Sequence, residues 1–266
     1  MERWIDIVVL LLWSATTWSL WMPGLPMGQG QHRAIVGFGA AALAVELVWS
    51  AWSGARAPGL HDALAATAVA IAAAWSGIGH RGQGALGRFL VPASLVALGL
   101  AQVSPVSHIA ALDETGPSMW LPIHLGLVFA GVGGLALSAG VGALYLVTRA
   151  RLKSKQFDQI GAGPDLETLD RLMFRAMLFG FVALTLGIAA GGVWASLALD
   201  HAVWAADPKV LYTLLLWTWY AAGLQFRVVS GRRGRWTAWF SLIGFGGVLF
   251  SMLGLSLLLD GFHARG

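Results

Sequence analysis

The residues with the greatest capacity for chemistry are histidines and tryptophans at the ends of apolar runs. Between two such runs lies GGVWASLALDHAVWAADPK, Gly191 to Lys209, which gathers Trp194, His201, Trp204 and Asp207. His124 stands in WLPIHLGL, and His263 in LLLDGFHARG. Imidazole is the commonest side-chain ligand for metals and also an axial ligand of haem iron. Indole faces stack on flat rings and bury their apolar area. This set suits a flat, amphipathic ligand at the water boundary of a membrane, although a boundary histidine can equally well bond only water or headgroups. No serine elbow, HExxH pair or paired carboxylate set is present, and the glycine-rich text follows no strand and has no P-loop lysine.

The elements that must position these residues are membrane helices. The chain is 57% hydrophobic and 11% charged, with a mean hydropathy of +0.70, against about 45 to 50% apolar and about 25% charged in soluble domains. Eight apolar runs approach the roughly 20 residues that a helix needs to cross a bilayer: Trp4 to Met22, Ala34 to Trp52, His61 to Gly79, Phe89 to Ser104, Trp120 to Thr148, Leu172 to Leu199, Val210 to Phe226 and Trp236 to Leu259. MERWID lacks a signal-peptide pattern, so the first run is expected to be a retained helix. The fold class is therefore an all-α, polytopic transmembrane helix bundle of about eight helices. It forms a single membrane domain, residues 1–266, with four variable N-terminal helices in 1–104 and a core in 120–263 that carries the outer loop 191–209.

Orientation follows from the basic residues. Thirteen of the 17 Lys and Arg fall after the first, third, fifth and seventh runs or in the first turns beyond them, leaving Arg3, Arg56, Lys209 and Arg265 on the opposite side. The positive-inside rule then puts both termini on the outer, periplasmic face, together with His61, His108, His124, His201 and His263. His32 and His80 fall in cytoplasmic connectors. The pI near 10.0 thus reads as orientation, with no nucleic-acid partner. Most of the 14 tryptophans suit an interfacial belt. Cysteine is absent, which excludes disulfides, thiolate metal sites and CxxCH haem attachment by this chain.

Two acids lie in or near apolar runs. Glu46, well inside the second, is either a functional group facing the bundle or a protonated carboxyl bonded to a neighbouring helix. Asp6, near the outer end of the first, is expected at the interface. GVGGLALSAGVGA and GIAAGG are expected to permit close helix packing, and GAGPDLETLD to turn and cap a helix start.

The stretch from Gly191 through Arg235 resembles the signature of the cytochrome c assembly family, the haem-handling CcsA, CcmC and HemX-like group. Its pattern is close to GxxWAxxxWGxYWxWDPKExWxxxxWxxYxxYLHxR. Gly191, Trp194, Ala195, Trp204, Asp207, Pro208, Lys209, Trp217, Tyr220, Leu224 and Arg227 match it in register. IGFGGVLFSMLGLSLLLDGFH is similar to the family's last helix and places His263 on its second outer histidine, as WLPIHLGL places His124 on the first. Asp200 and His201 replace a Trp and Gly of the pattern, Ala206 replaces a Trp, Val210 a Glu, and Gln225 a membrane-embedded histidine.

The resemblance implies a haem-handling protein of cytochrome c biogenesis, an assembly factor rather than an enzyme, in a bacterial inner membrane. Non-covalent b-type haem would sit on the outer face, its iron ligated by His124 and His263. Trp194 and Trp204 would cradle the ring, Asp207 would cap the helix that Pro208 begins, and His201 is a candidate replacement ligand. Expected partners are lipid, haem, a second cytochrome c assembly subunit, apocytochrome c or a haem-biosynthesis enzyme. Two alternatives are a HemX-like regulator of haem biosynthesis without stable haem binding, and an accessory structural subunit of a respiratory or other energy-transducing complex.

Overall fold

The structure is a computed structural model that describes residues 4–22, 28–52, 60–77, 83–103, 120–154, 164–198 and 208–263. Those residues form eight helices and no strand: α1 (Trp4–Trp21), α2 (Gln29–Trp52), α3 (Leu60–Gly77), α4 (Gln83–Val103), α5 (Trp120–Lys153), α6 (Leu166–Ala198), α7 (Pro208–Ser230) and α8 (Arg235–His263). Among the described residues α1, α2, α4, α5 and α6 are each long and apolar enough to cross a membrane, while α3 has the shorter apolar segment Leu64–Ser76. The chain is thus an all-α, multi-pass membrane protein.

Several helices outrun the apolar segments that announce them. α2 begins at Gln29 rather than Ala34, α4 at Gln83 rather than Phe89, and α5 continues to Lys153. A helix ends where its orphan backbone groups find partners, not where its hydrophobicity stops. At the start of α2 the backbone N–H of Gly28 donates to the Gln31 side chain at 2.9 Å, one half of a capping box. Asp165 precedes α6 as the sequence implies, and its carboxyl is held below the usual carboxylate range by the Thr168 hydroxyl and, further, by the Thr168 backbone N–H.

α5 is the hub, because its small residues let four helices approach on different faces. A Cβ on Gly133 would sit 2.9 Å from the Ala70 carbonyl oxygen of α3, and one on Gly140 2.7 Å from Leu90 of α4. On Gly134 it would lie 2.9 Å from the Cα of Gly180 in α6, and on Gly142 3.2 Å from the Cα of Ala238 in α8. Small residues at such crossings allow the backbone approach on which membrane helix packing depends. Ser138 adds polar links in the same region, donating to the Met173 carbonyl at 3.0 Å and lying 2.8 Å from the Ser241 hydroxyl.

Consecutive helices run in opposite directions. At one end His32, at the start of α2, lies 2.9 Å from the Ser19 hydroxyl near the end of α1; His32 is therefore a buried helical residue and not part of a connector. At the other end the Nδ1 of His61 on α3 donates to the Ala101 carbonyl of α4 at 2.8 Å. Its Nε2 lies 3.5 Å from the Asp6 carboxyl of α1. Asp6 and His61 are only 2% and 1% exposed, so Asp6, in the first turn of α1, faces the bundle. Inside an apolar junction, an acid and an imidazole are most stable beside each other and a carbonyl.

The basic end carries a second polar junction. Arg227 of α7 donates to both carboxylate oxygens of Asp170 on α6, each at 2.7 Å, and to the Thr237 hydroxyl of α8 at 2.9 Å. Its guanidinium also lies 4.4 Å from the centre of the Phe174 ring. The α7 to α8 turn closes through Gly231 and Gly234, both at positive φ (64° and 67°). Gly234 donates its backbone N–H to Asp170 at 2.7 Å. Tyr145 crowds the space that a Cβ there would need.

Candidate ligand site at the start of α5 and the end of α6

His124 sits in the second turn of α5, half-buried against α6. Its Nδ1 lies 2.7 Å from the carbonyl oxygen of Gly187. A carbonyl only accepts, so Nδ1 carries the proton, and the neutral ring keeps its lone pair on Nε2. Metal-binding histidines are oriented in this way, one ring nitrogen anchored and the other presented to the ion.

The seat for the ring is made by a missing side chain. A Cβ on Gly191 would fall 2.6 Å from both Cε1 and Nδ1 of His124, well inside any tolerable contact. Gly187, Gly191 and Trp194 follow one another at spacings of four and three, on one face of α6. Trp194 is helical and half-buried, because α6 continues to Ala198. The 191–209 stretch is therefore helical at both ends: its first eight residues finish α6, in line with the apolar run to Leu199, and its last two begin α7. Pro208 is the first residue of α7, as its fixed φ favours.

His263 is the last helical residue of α8, at the end of the bundle that also holds the start of α5. Its side chain lies outside the described set, as do His201, Trp204 and Asp207. Of the candidate residues the structure thus places His124 against Gly187 and Gly191, with Trp194 three residues beyond Gly191 on α6. Among the described residues no cluster of three or more His, Asp or Glu side chains forms a metal site. The same helix ends carry exposed Ile123 on α5 and Val193 and Leu197 on α6.

The α7 residues of the signature have packing roles. Trp217 donates its indole N–H to Thr185 at 2.9 Å and stacks on Phe181 with ring centres 5.5 Å apart. Tyr220 is fully buried and Arg227 grips Asp170, while Trp219, between signature positions, donates to the Phe240 carbonyl at 3.0 Å. Gln225 is exposed on the outside of α7, and Glu46 is half-buried on α2. Gly187 and Asp170 are the residues that the sequence did not single out; a carbonyl partner leaves no trace in side-chain text, and Asp170 read only as part of a helix start.

The family model for cytochrome C assembly proteins matches residues 59–263. The cytochrome c biogenesis protein CcsA of Chlamydomonas reinhardtii is 30% identical over 186 residues, covering 68% of this chain and 51% of that protein. CcsA of Guillardia theta is 30% identical over 200 residues, 68% of this chain and 66% of that protein. CcsA of Prochlorococcus marinus (strain MIT 9515) is 42% identical over 100 residues, 38% of this chain and 32% of that protein. The chain thus spans from about a third to two thirds of the length of these relatives. A match from α3 to the end of α8, with the signature residues packed as described, establishes that the chain belongs to the cytochrome c assembly protein family.

Proposed function

We propose that this protein holds haem at the outer ends of α5 and α6 as a cargo for cytochrome c assembly in a bacterial cytoplasmic membrane. The observation that supports the reading is the bond from His124 Nδ1 to the Gly187 carbonyl, which leaves the Nε2 lone pair available to a metal. In this reading His263 would be the second residue to hold the haem iron. Trp194 and Trp204 cover the ring, Asp207 caps α7, and His201 is a reserve donor. The haem is b-type and non-covalent, since this chain has no cysteine to attach it.

Bound haem supplies the iron and the group to be delivered; the chain supplies position. His124 holds a fixed tautomer, α6 offers a wall without a Cβ at Gly191, and the apolar helix ends keep water from one face of the ring. The outer face is where a secreted apocytochrome and a second assembly subunit would meet the cargo. The relatives' role in cytochrome c biogenesis supports this assignment.

An absorption spectrum of the purified protein tests it. A Soret band in the wild type that is lost in His124→Ala or His263→Ala is expected. A colourless wild type that takes up no added haemin would overturn haem holding and leave the regulatory or structural-subunit role.

A further inference from the structure

A cleft farther along α5 carries a separate inference. The contacts of Gly133 with Ala70 and of Gly134 with Gly180 draw α3 and α6 onto neighbouring faces of α5. Between α3 and α6 the wedge is left unfilled, because the side chains there are small: Ala70 and Ala74 on α3, Ala130 and Gly133 on α5. The result is a cleft of about 410 Å³, within the roughly 300–1,000 Å³ of ligand sites. Phe179 and Arg175 form its α6 wall. Among the described residues that line it, Arg175 alone is charged.

Arg175 lies nine residues beyond Leu166, about 14 Å along the helix at about 1.5 Å per residue. It is exposed and has no ion-pair or hydrogen-bond partner among the described residues. Arg171, one turn nearer the basic end, is by contrast bonded to Glu167 at 3.0 Å. An unpaired guanidinium inside an apolar run, at the edge of a carbon-lined cleft, calls for an amphiphile with an anion at one end and a hydrocarbon chain along the rest. The charge distribution fixes its direction. The anion lies toward the basic end and the chain toward the bilayer centre, which is the posture of a phospholipid in the cytoplasmic leaflet.

We propose that this cleft binds one anionic glycerophospholipid, its phosphate on Arg175 and an acyl chain between α3 and α6. Arginine presents paired N–H donors that match phosphate oxygens, and basic pockets between membrane helices on the cytoplasmic side are suited to anionic headgroups. A zwitterionic lipid offers the same phosphate, but its ammonium meets the excess of positive charge at this end. Anionic lipid is therefore retained in preference.

The test uses the full-length protein, stripped of lipid in detergent and mixed in turn with dioleoylphosphatidylglycerol, dioleoylphosphatidylcholine or inorganic phosphate. Retained lipid is counted by native mass spectrometry and Tm is followed in parallel. The wild type should retain one phosphatidylglycerol and gain thermal stability from it, with neither effect from phosphate. Arg175→Gln should lower the ratio of phosphatidylglycerol to phosphatidylcholine retained by about tenfold, as for loss of one charge-assisted contact, while Arg171→Gln leaves it unchanged. Ala130→Phe, or Ala74→Leu should that variant fail to fold, should abolish retention of both lipids. Equal retention of the two lipids by the wild type, an unchanged ratio in Arg175→Gln, or stabilisation by phosphate alone would each overturn the proposal.

Discussion

Replacing Gly191 by alanine should displace His124. The new Cβ would lie 2.6 Å from two ring atoms where ordinary contact begins near 3.4 Å, so the ring must withdraw from α6 by about 0.8 Å, the difference of those distances. Moved straight back by that amount, His124 Nδ1 would go from 2.7 Å to about 3.5 Å from the Gly187 oxygen, beyond a protein hydrogen bond. The bond is lost and the tautomer is no longer fixed. Loss of such an outer partner typically lowers metal affinity by about 10- to 100-fold. The measurement is a haemin titration followed at the Soret band, on protein that remains monodisperse. Gly192→Ala is the control, since a Cβ there meets no described atom within 4 Å. Wild-type affinity in a folded Gly191→Ala protein would refute the link between the glycine, the carbonyl and the ligating nitrogen.

Other outcomes follow from the helix junctions. Arg227→Gln or Asp170→Asn should each destabilise the protein by about 3–5 kcal/mol, the usual cost of breaking a buried pair. The double variant should cost less than the sum of the two, as measured by denaturation in mixed micelles. His61→Ala strips the Asp6 carboxyl of its neighbour and the Ala101 carbonyl of its donor. Faster proteolysis within α1 to α4 than within α5 to α8 is expected, and uniform resistance would count against a junction that holds α1 in place. Gly134→Val forces α5 and α6 apart where their backbones touch, and should cost about 1–3 kcal/mol as overpacking in the same denaturation assay. Because the chain contains no native cysteine, single reporters at Ser154 and Lys209 give a clean test of orientation. An impermeant maleimide added to intact cells should label Lys209→Cys and spare Ser154→Cys, and the reverse pattern would invert the topology.

The sequence by itself determined the class, the number of helices and the end at which basic residues gather. Each is a sum over some 20 neighbouring residues, and hydropathy makes such sums legible. It also marked His124 as a candidate ligand and Pro208 as a helix start, since each depends on a short local pattern. Tertiary structure alone decided which polar groups meet: His124 with the carbonyl of Gly187, 63 residues away, Arg227 with Asp170, 57 residues away, and Asp6 with His61. These pairings depend on where helices cross and how closely they approach. That is set by the absent side chains at Gly133, Gly134, Gly140, Gly142 and Gly191, each meeting a different stretch of chain. A glycine shows in the sequence that space is available; only the packed bundle shows that at Gly191 the space is filled by an imidazole.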